Sequence, residues 1–167
     1  MKPIPTLLIT AITLAITAYG VQRGVSAQTR ETAVAALEIL RAGTGPRQQA
    51  PSANFIGNVT IESSFRRQAP SRISGASVTF EPGARTAWHR HPLGQTLVVT
   101  TGTGWVQREG GPKQDIRAGD IVWTPPGVKH WHGATDTSAM THVAISETTE
   151  GSQVTWMEQV SERDYRR

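Results

Sequence analysis

From about residue 52 the chain is a succession of short β-forming runs, each closed by glycine or proline, and this pattern limits the fold more than any other feature. The runs at 73–80, 96–101, 105–109, 121–124, 128–133 and 140–146 are rich in β-branched and aromatic residues and too short for helices of ordinary length. EGGPK at 109–113 is a hairpin signal, because glycine supplies the left-handed backbone a tight turn needs and proline cannot continue a strand. Many short strands with frequent turns predict an antiparallel all-β sandwich or barrel. A length of 167 residues allows one such domain with a short appendage.

The first 51 residues do not share the pattern. Residues 1–27 carry an early cation, Lys2, then an apolar stretch from Ile4 to Ala18, then the small-residue sequence Val25-Ser26-Ala27. That is the order of parts in a secretory signal, with cleavage expected after Ala27. The apolar stretch is shorter than the roughly 20 residues a spanning helix needs. The expected location is therefore periplasmic or secreted, with no membrane attachment after cleavage. Residues 28–51 read as a short helix and a linker, with Thr29 as cap, Val34, Leu37 and Leu40 at helical spacing, and Gly43 and Pro46 ending it. The main domain is expected over 52–167, closed by a short helix capped at Ser161. Loss of Lys2 and Arg23 with the signal leaves 15 basic and 13 acidic residues, a net charge of +2 against +4 for the whole chain. No basic block points to nucleic acid. The absence of cysteine excludes disulfides, thiolate nucleophiles and cysteine-ligated metals.

All five histidines lie between residues 89 and 142. Residues two apart on a strand share a face, so His89 and His91 can aim at one point, and so can His130 and His132. Neutral imidazole is the commonest metal ligand, and two such pairs on β runs predict a metal site. The spacing is more specific still. Gly83 is followed after five residues by His89, after one by His91, after three by Gln95 and after six by Gly102. Later, Gly119 is followed after five residues by Pro125, after one by Gly127 and after two by His130.

These two arrays, in this order and 16 residues apart, resemble the two motifs of the cupin superfamily over roughly residues 53–160. The resemblance implies a single-domain double-stranded β-helix, a jelly-roll barrel, holding one divalent metal through His89, His91, Gln95 and His130. There are two departures: the usual acid of the first motif is Gln95, and the usual asparagine closing the second is Ala134. A neutral amide beside three neutral imidazoles cancels none of the ion's charge. Such a site binds metal less tightly, is the stronger Lewis acid toward an oxygen ligand, and favours oxidative chemistry less.

A closer resemblance is carried by GASVTFEPGARTAWHRHPLGQTLVVTTGTGWVQREGG, GDIVWTPPGVKHWHGATDTSAMTHVAI and the C-terminal WMEQV…YRR. Together they are similar to the bacterial cupin hydroxynitrile lyases of the (R)-mandelonitrile lyase type. This implies cleavage and formation of cyanohydrins, with manganese the usual metal; iron, cobalt, nickel and zinc stay open. It also implies His132 and His142 as acid/base residues and Val78, Phe80 and Leu97 in the substrate pocket. A homo-oligomer, dimer or tetramer, is expected. Alternatives of another class are a metal-dependent dioxygenase and a non-catalytic metal- or ligand-binding cupin. His142 poses a conflict, since alternation in MTHVAIS turns Val143 and Ile145 inward and His142 outward by hydrophobicity alone. Trp88 and Trp131 are expected to point away from the metal, and Trp105, Trp123 and Trp156 to sit in the core.

Overall fold

A computed structural model describes residues 36–149 and 151–167, and Glu38–Arg167 form one compact unit. The expected signal sequence and the first part of the expected N-terminal helix lie outside the described residues. Among the described residues, no helix is long and apolar enough to cross a membrane.

The strands are β1 (Arg47–Gln49), β2 (Phe55–Ile56), β3 (Val59–Arg66), β4 (Ile73–Phe80), β5 (Arg85–Thr86) and β6 (His89–Arg90). They continue with β7 (Gln95–Arg108), β8 (Gln114–Arg117), β9 (Ile121–Thr124), β10 (His130–Ala134), β11 (Met140–Glu147) and β12 (Thr155–Trp156), followed by the helix α1 (Glu162–Arg166). All pairings are antiparallel, as the short runs predict. One long path of neighbours runs β1-β3-β4-β11-β7-β10-β5-β2.

β7 joins the two sides of the barrel. Its first half pairs with β9 and β11, and its second half pairs with β8 and β10. The runs expected at 96–101 and 105–109 are thus one strand of 14 residues. Gly102 and Gly104 read as a break, but here they let a bent strand pass close to its neighbours. Gly102 has φ 75°, and a Cβ there would run into the Ala139 carbonyl. The inner faces bury Val59, Phe80, Val99 and Met140 almost completely. Each such side chain stabilises the fold by roughly 1.5–3 kcal/mol.

The expected helix and linker over 28–51 is not what its described part forms. Residues 36–41 carry no helix, and β1 pairs with β3 where a flexible connection was expected. A short helix is marginal unless an apolar face is buried, and Ile39 and Leu40 are 64% and 43% exposed. The sheet therefore begins before residue 52. The C-terminal helix matches expectation, with the Ser161 side chain accepting from the Asp164 N–H.

A second apolar cluster lies apart from the main core. Trp88, Trp131, Val160 and Tyr165 form it, with Trp105 and Met157 against them. Trp88 and Trp131 thus pack where strand alternation puts them. Trp105 belongs to this cluster rather than the main core, Trp123 is 57% exposed on β9, and Trp156 lines the cavity. Indole rings fill an interior or cover a surface equally well, so size and hydrophobicity did not separate these cases. Arg85 fastens the C-terminal segment to the barrel. Its buried guanidinium donates to the Val160 carbonyl at 3.0 and 3.2 Å and to Glu162 at 2.8 Å, and it stacks over Tyr165. The Tyr165 hydroxyl donates in turn to the Ala134 carbonyl. Arg85→Ala leaves the buried Val160 carbonyl without its two donors and is expected to cost about 3 kcal/mol. Thermal unfolding reads this as a loss of about 10 °C; an unchanged midpoint would show that the segment is not held this way.

Candidate metal centre

His89 lies on β6, His91 just beyond it, Gln95 at the start of β7, His130 and His132 on β10, and His142 on β11. β10 pairs with β6 at His130↔His89 and with β7 along its second half, which carries the histidine-bearing strands to one place. Gly94, at φ 83°, turns the chain into Gln95; a Cβ there would strike the Trp123 ring. All six side chains are at least 95% buried.

Backbone carbonyls decide which nitrogen of each ring carries the proton. His89 Nδ1 donates to the Ala87 carbonyl at 2.9 Å, His91 Nδ1 to Gln153 at 2.6 Å and His130 Nδ1 to Val128 at 3.0 Å. A carbonyl can only accept, so each neutral ring keeps its proton on Nδ1 and turns the Nε2 lone pair elsewhere. The His91 Nε2 is buried without a partner. The His130 Nε2 faces Gln95 Oε1 at 3.1 Å, so a neutral ring with one proton meets an oxygen on both sides. A cation between these lone pairs relieves that conflict and satisfies the orphaned nitrogen. The donor set therefore fits a divalent ion.

One ring nitrogen each from His89, His130 and His132 lies within 4.8 Å of the others. His91 stands outside this trio, its ring 5.2 Å from His89 and 5.8 Å from His130. The geometry thus adds His132 to the neighbourhood of the donors, while its second nitrogen makes a separate contact. His132 Nδ1 and His142 Nε2 are 3.1 Å apart and share one proton. His132 Nε2 and His142 Nδ1 have no other partner. His142 faces inward, although hydrophobic alternation favoured the opposite. Val143 and Ile145 are only half-buried on the other face of β11.

Burial is the largest cause of the low proton affinity of all five histidines. His89 and His132 are held well below 6.5, and His91 below it; burial takes His130 and His142 down to about 4. Repulsion from His130 lowers His89 further, and repulsion from His142 lowers His132 further. At neutral pH all five rings are uncharged, as metal ligands and proton acceptors must be.

The rings of His89, His91, His132 and His142 open on a cavity of about 440 Å³. Of the three residues assigned to a substrate pocket, Val78 and Phe80 line it, whereas Leu97 is fully buried and not among the lining residues. Sequence reasoning missed Phe55, Thr86, Gln153 and Trp156, which also line it. Trp156 sits on a two-residue strand with no periodicity to orient it, and its ring lies 4.9 Å from that of His89.

A model of the cupin domain matches residues 76–146, the stretch that contains every histidine. The chain is 56% identical over 131 residues to an (R)-mandelonitrile lyase of Granulicella tundricola, an alignment covering 78% of this chain and all of that protein. A cupin-like protein of Thermotoga maritima matches at 37% identity and a TM-score of 0.67, over 77% of this chain and 95% of its own. The polyketide cyclase RemF of Streptomyces resistomycificus, 12% identical with a TM-score of 0.62 over 78% of this chain and 91% of its own, shares the fold. With a jelly-roll barrel, both histidine motifs inside it and a relative of this identity across its length, the chain belongs to the cupin superfamily.

Proposed function

We propose that this cupin is a metal-dependent carbon–carbon lyase that cleaves cyanohydrins such as (R)-mandelonitrile into an aldehyde and hydrogen cyanide, and forms them in reverse. The observation that carries the reading is the buried His132–His142 pair, set beside a cluster of neutral donors and open to a largely apolar cavity. The name of the Granulicella relative supports it. An aryl group suits the wall of Val78, Phe80 and Trp156.

A divalent ion, manganese before iron, cobalt, nickel or zinc, would be held by His89, His91, Gln95 and His130 and would supply Lewis acidity toward an oxygen ligand. His132, uncharged at neutral pH, takes the proton of the substrate hydroxyl. His142, 3.1 Å behind it, shares the resulting charge through their common hydrogen bond. As the carbon–carbon bond breaks, its electron pair leaves with the cyanide carbon and the hydroxyl carbon becomes a carbonyl. The histidine pair then gives its proton to cyanide, and both rings return to their starting state.

The proposal extends to a periplasmic or secreted homo-oligomer. Ile121 and Trp123, 71% and 57% exposed on β9, continue an apolar strip with Val98, Val143 and Ile145 that a second copy would cover. The decisive experiment is metal analysis and light scattering of the purified protein, with mandelonitrile cleavage followed before and after chelation. Stoichiometric metal, loss of cleavage on chelation and recovery with Mn²⁺ are expected, without oxygen uptake. Undiminished cleavage by metal-free protein would remove the metal from the mechanism; no cleavage by fully loaded protein would remove the lyase.

A further inference from the structure

β3 changes face part-way along. At its start, Val59 and Ile61 lie opposite Phe80 and Val78 of β4, and all four side chains belong to the barrel interior. The register then slips by one residue between Glu62 and Phe65. Within the slip, Ser63 has φ 53°, a left-handed conformation that residues with a side chain rarely adopt. Unbroken alternation would send Arg66 outward with Glu62. After the slip Arg66 lies opposite Ser74, whose side chain is 4% exposed and faces the cavity. Bulges beside functional sites commonly re-aim a side chain, and strained residues cluster there.

Arg66 consequently lines the same cavity as the histidines, at an exposed edge with Ser64 and Gln48. It is the one formally charged side chain among the lining residues, and no Asp or Glu is among them. None of the ion pairs among the described residues involves it, whereas neighbouring Arg67 is paired with Glu38. Among the described residues its guanidinium is therefore a charged group at the cavity without an ion-pair partner. Guanidinium binds carboxylate through two parallel donors and is the side chain best shaped for it.

We propose that Arg66 forms a carboxylate subsite at the cavity rim, so that the preferred substrates carry a carboxylate on the end remote from the reacting hydroxyl. The identity of the reacting end rests on the lyase reading; the subsite does not. Calorimetry of the metal-loaded protein with benzyl alcohol and with 4-(hydroxymethyl)benzoate tests it directly, since neither compound reacts. Wild-type protein is expected to bind the carboxylate about tenfold more tightly at low salt. Arg66→Gln should erase that preference while leaving benzyl alcohol within twofold, and Arg66→Lys should keep part of it. Equal wild-type affinity for the two ligands, or equal weakening of both by Arg66→Gln, would overturn the subsite. Cleavage of the cyanohydrins of benzaldehyde and 4-formylbenzoate gives the second arm. A protein that prefers the carboxylate ligand but cleaves neither cyanohydrin refutes the lyase and leaves the subsite standing.

Discussion

Replacing His130 with alanine is expected to abolish stoichiometric metal binding and to lower cyanohydrin cleavage by about 10³-fold or more, since Lewis-acid stabilisation is worth several kcal/mol. His130 is the ring most committed to this task. Its Nδ1 is tied to Val128, its Nε2 faces Gln95, and it sits nearest His89, with ring centres 4.2 Å apart. Elemental analysis and a cleavage assay on the same sample check the two effects together. Wild-type metal content in the variant would remove His130 from the donor set. The same ring predicts the acid behaviour of the metal-free protein. Its native pKa, about 4, lies below the unfolded value of 6.5, so the unfolded chain binds more protons between those two pH values. Stability therefore falls as pH drops through that window. His130 and His142 each contribute on the order of 3 kcal/mol to the fall, which urea titrations at a series of pH values would follow. A flat stability curve from pH 6.5 to 4 would contradict it.

His132→Ala and His142→Ala are each expected to lower kcat by about 10²–10⁴-fold, the range for loss of a positioned acid/base group. The double variant should be little worse than either single one, because residues acting as one unit do not lose activity additively. Metal content separates the two roles that geometry allows His132. Full metal with a collapsed rate assigns it to proton transfer; lost metal assigns it to the donor set with His89 and His130. His91→Ala supplies the complementary comparison, since its orphaned Nε2 should be filled by the ion. Undiminished cleavage in both His132→Ala and His142→Ala, with metal bound, would refute the acid/base assignment.

The motifs were legible because their spacing is a property of local backbone. His89, His91 and His130 could be read from strand alternation and glycine-closed turns, and β4 and β9 fall at their expected bounds. What depended on distant contacts was harder to read. Gly102 and Gly104 looked like a turn because the close approach of Ala139 and Met140, which requires them, involves a strand almost forty residues on. His142 looked outward because hydrophobicity ranks valine above histidine for burial, and only its contact with His132 reverses that order. Arg66 was invisible as a cavity residue, since one inserted residue in β3 inverts the parity of everything after it. Leu97 shares a face with Gln95, yet sharing a face placed it in packed interior rather than at the cavity.

The anchors of the three Nδ1 protons differ in one respect that bears on synthesis. His89 and His130 are oriented by carbonyls two residues earlier in the chain, whereas His91 depends on Gln153, 62 residues later. Two of the rings can adopt their working tautomer as soon as their strands form. The third must wait until the segment that carries Gln153 has been made. Until Gln153 has been made and folded against the barrel, a metal site built on these rings would offer an incomplete, weaker set of donors. Assembly of the site is thereby tied to folding of the chain around residue 153, and not to formation of the two histidine motifs alone.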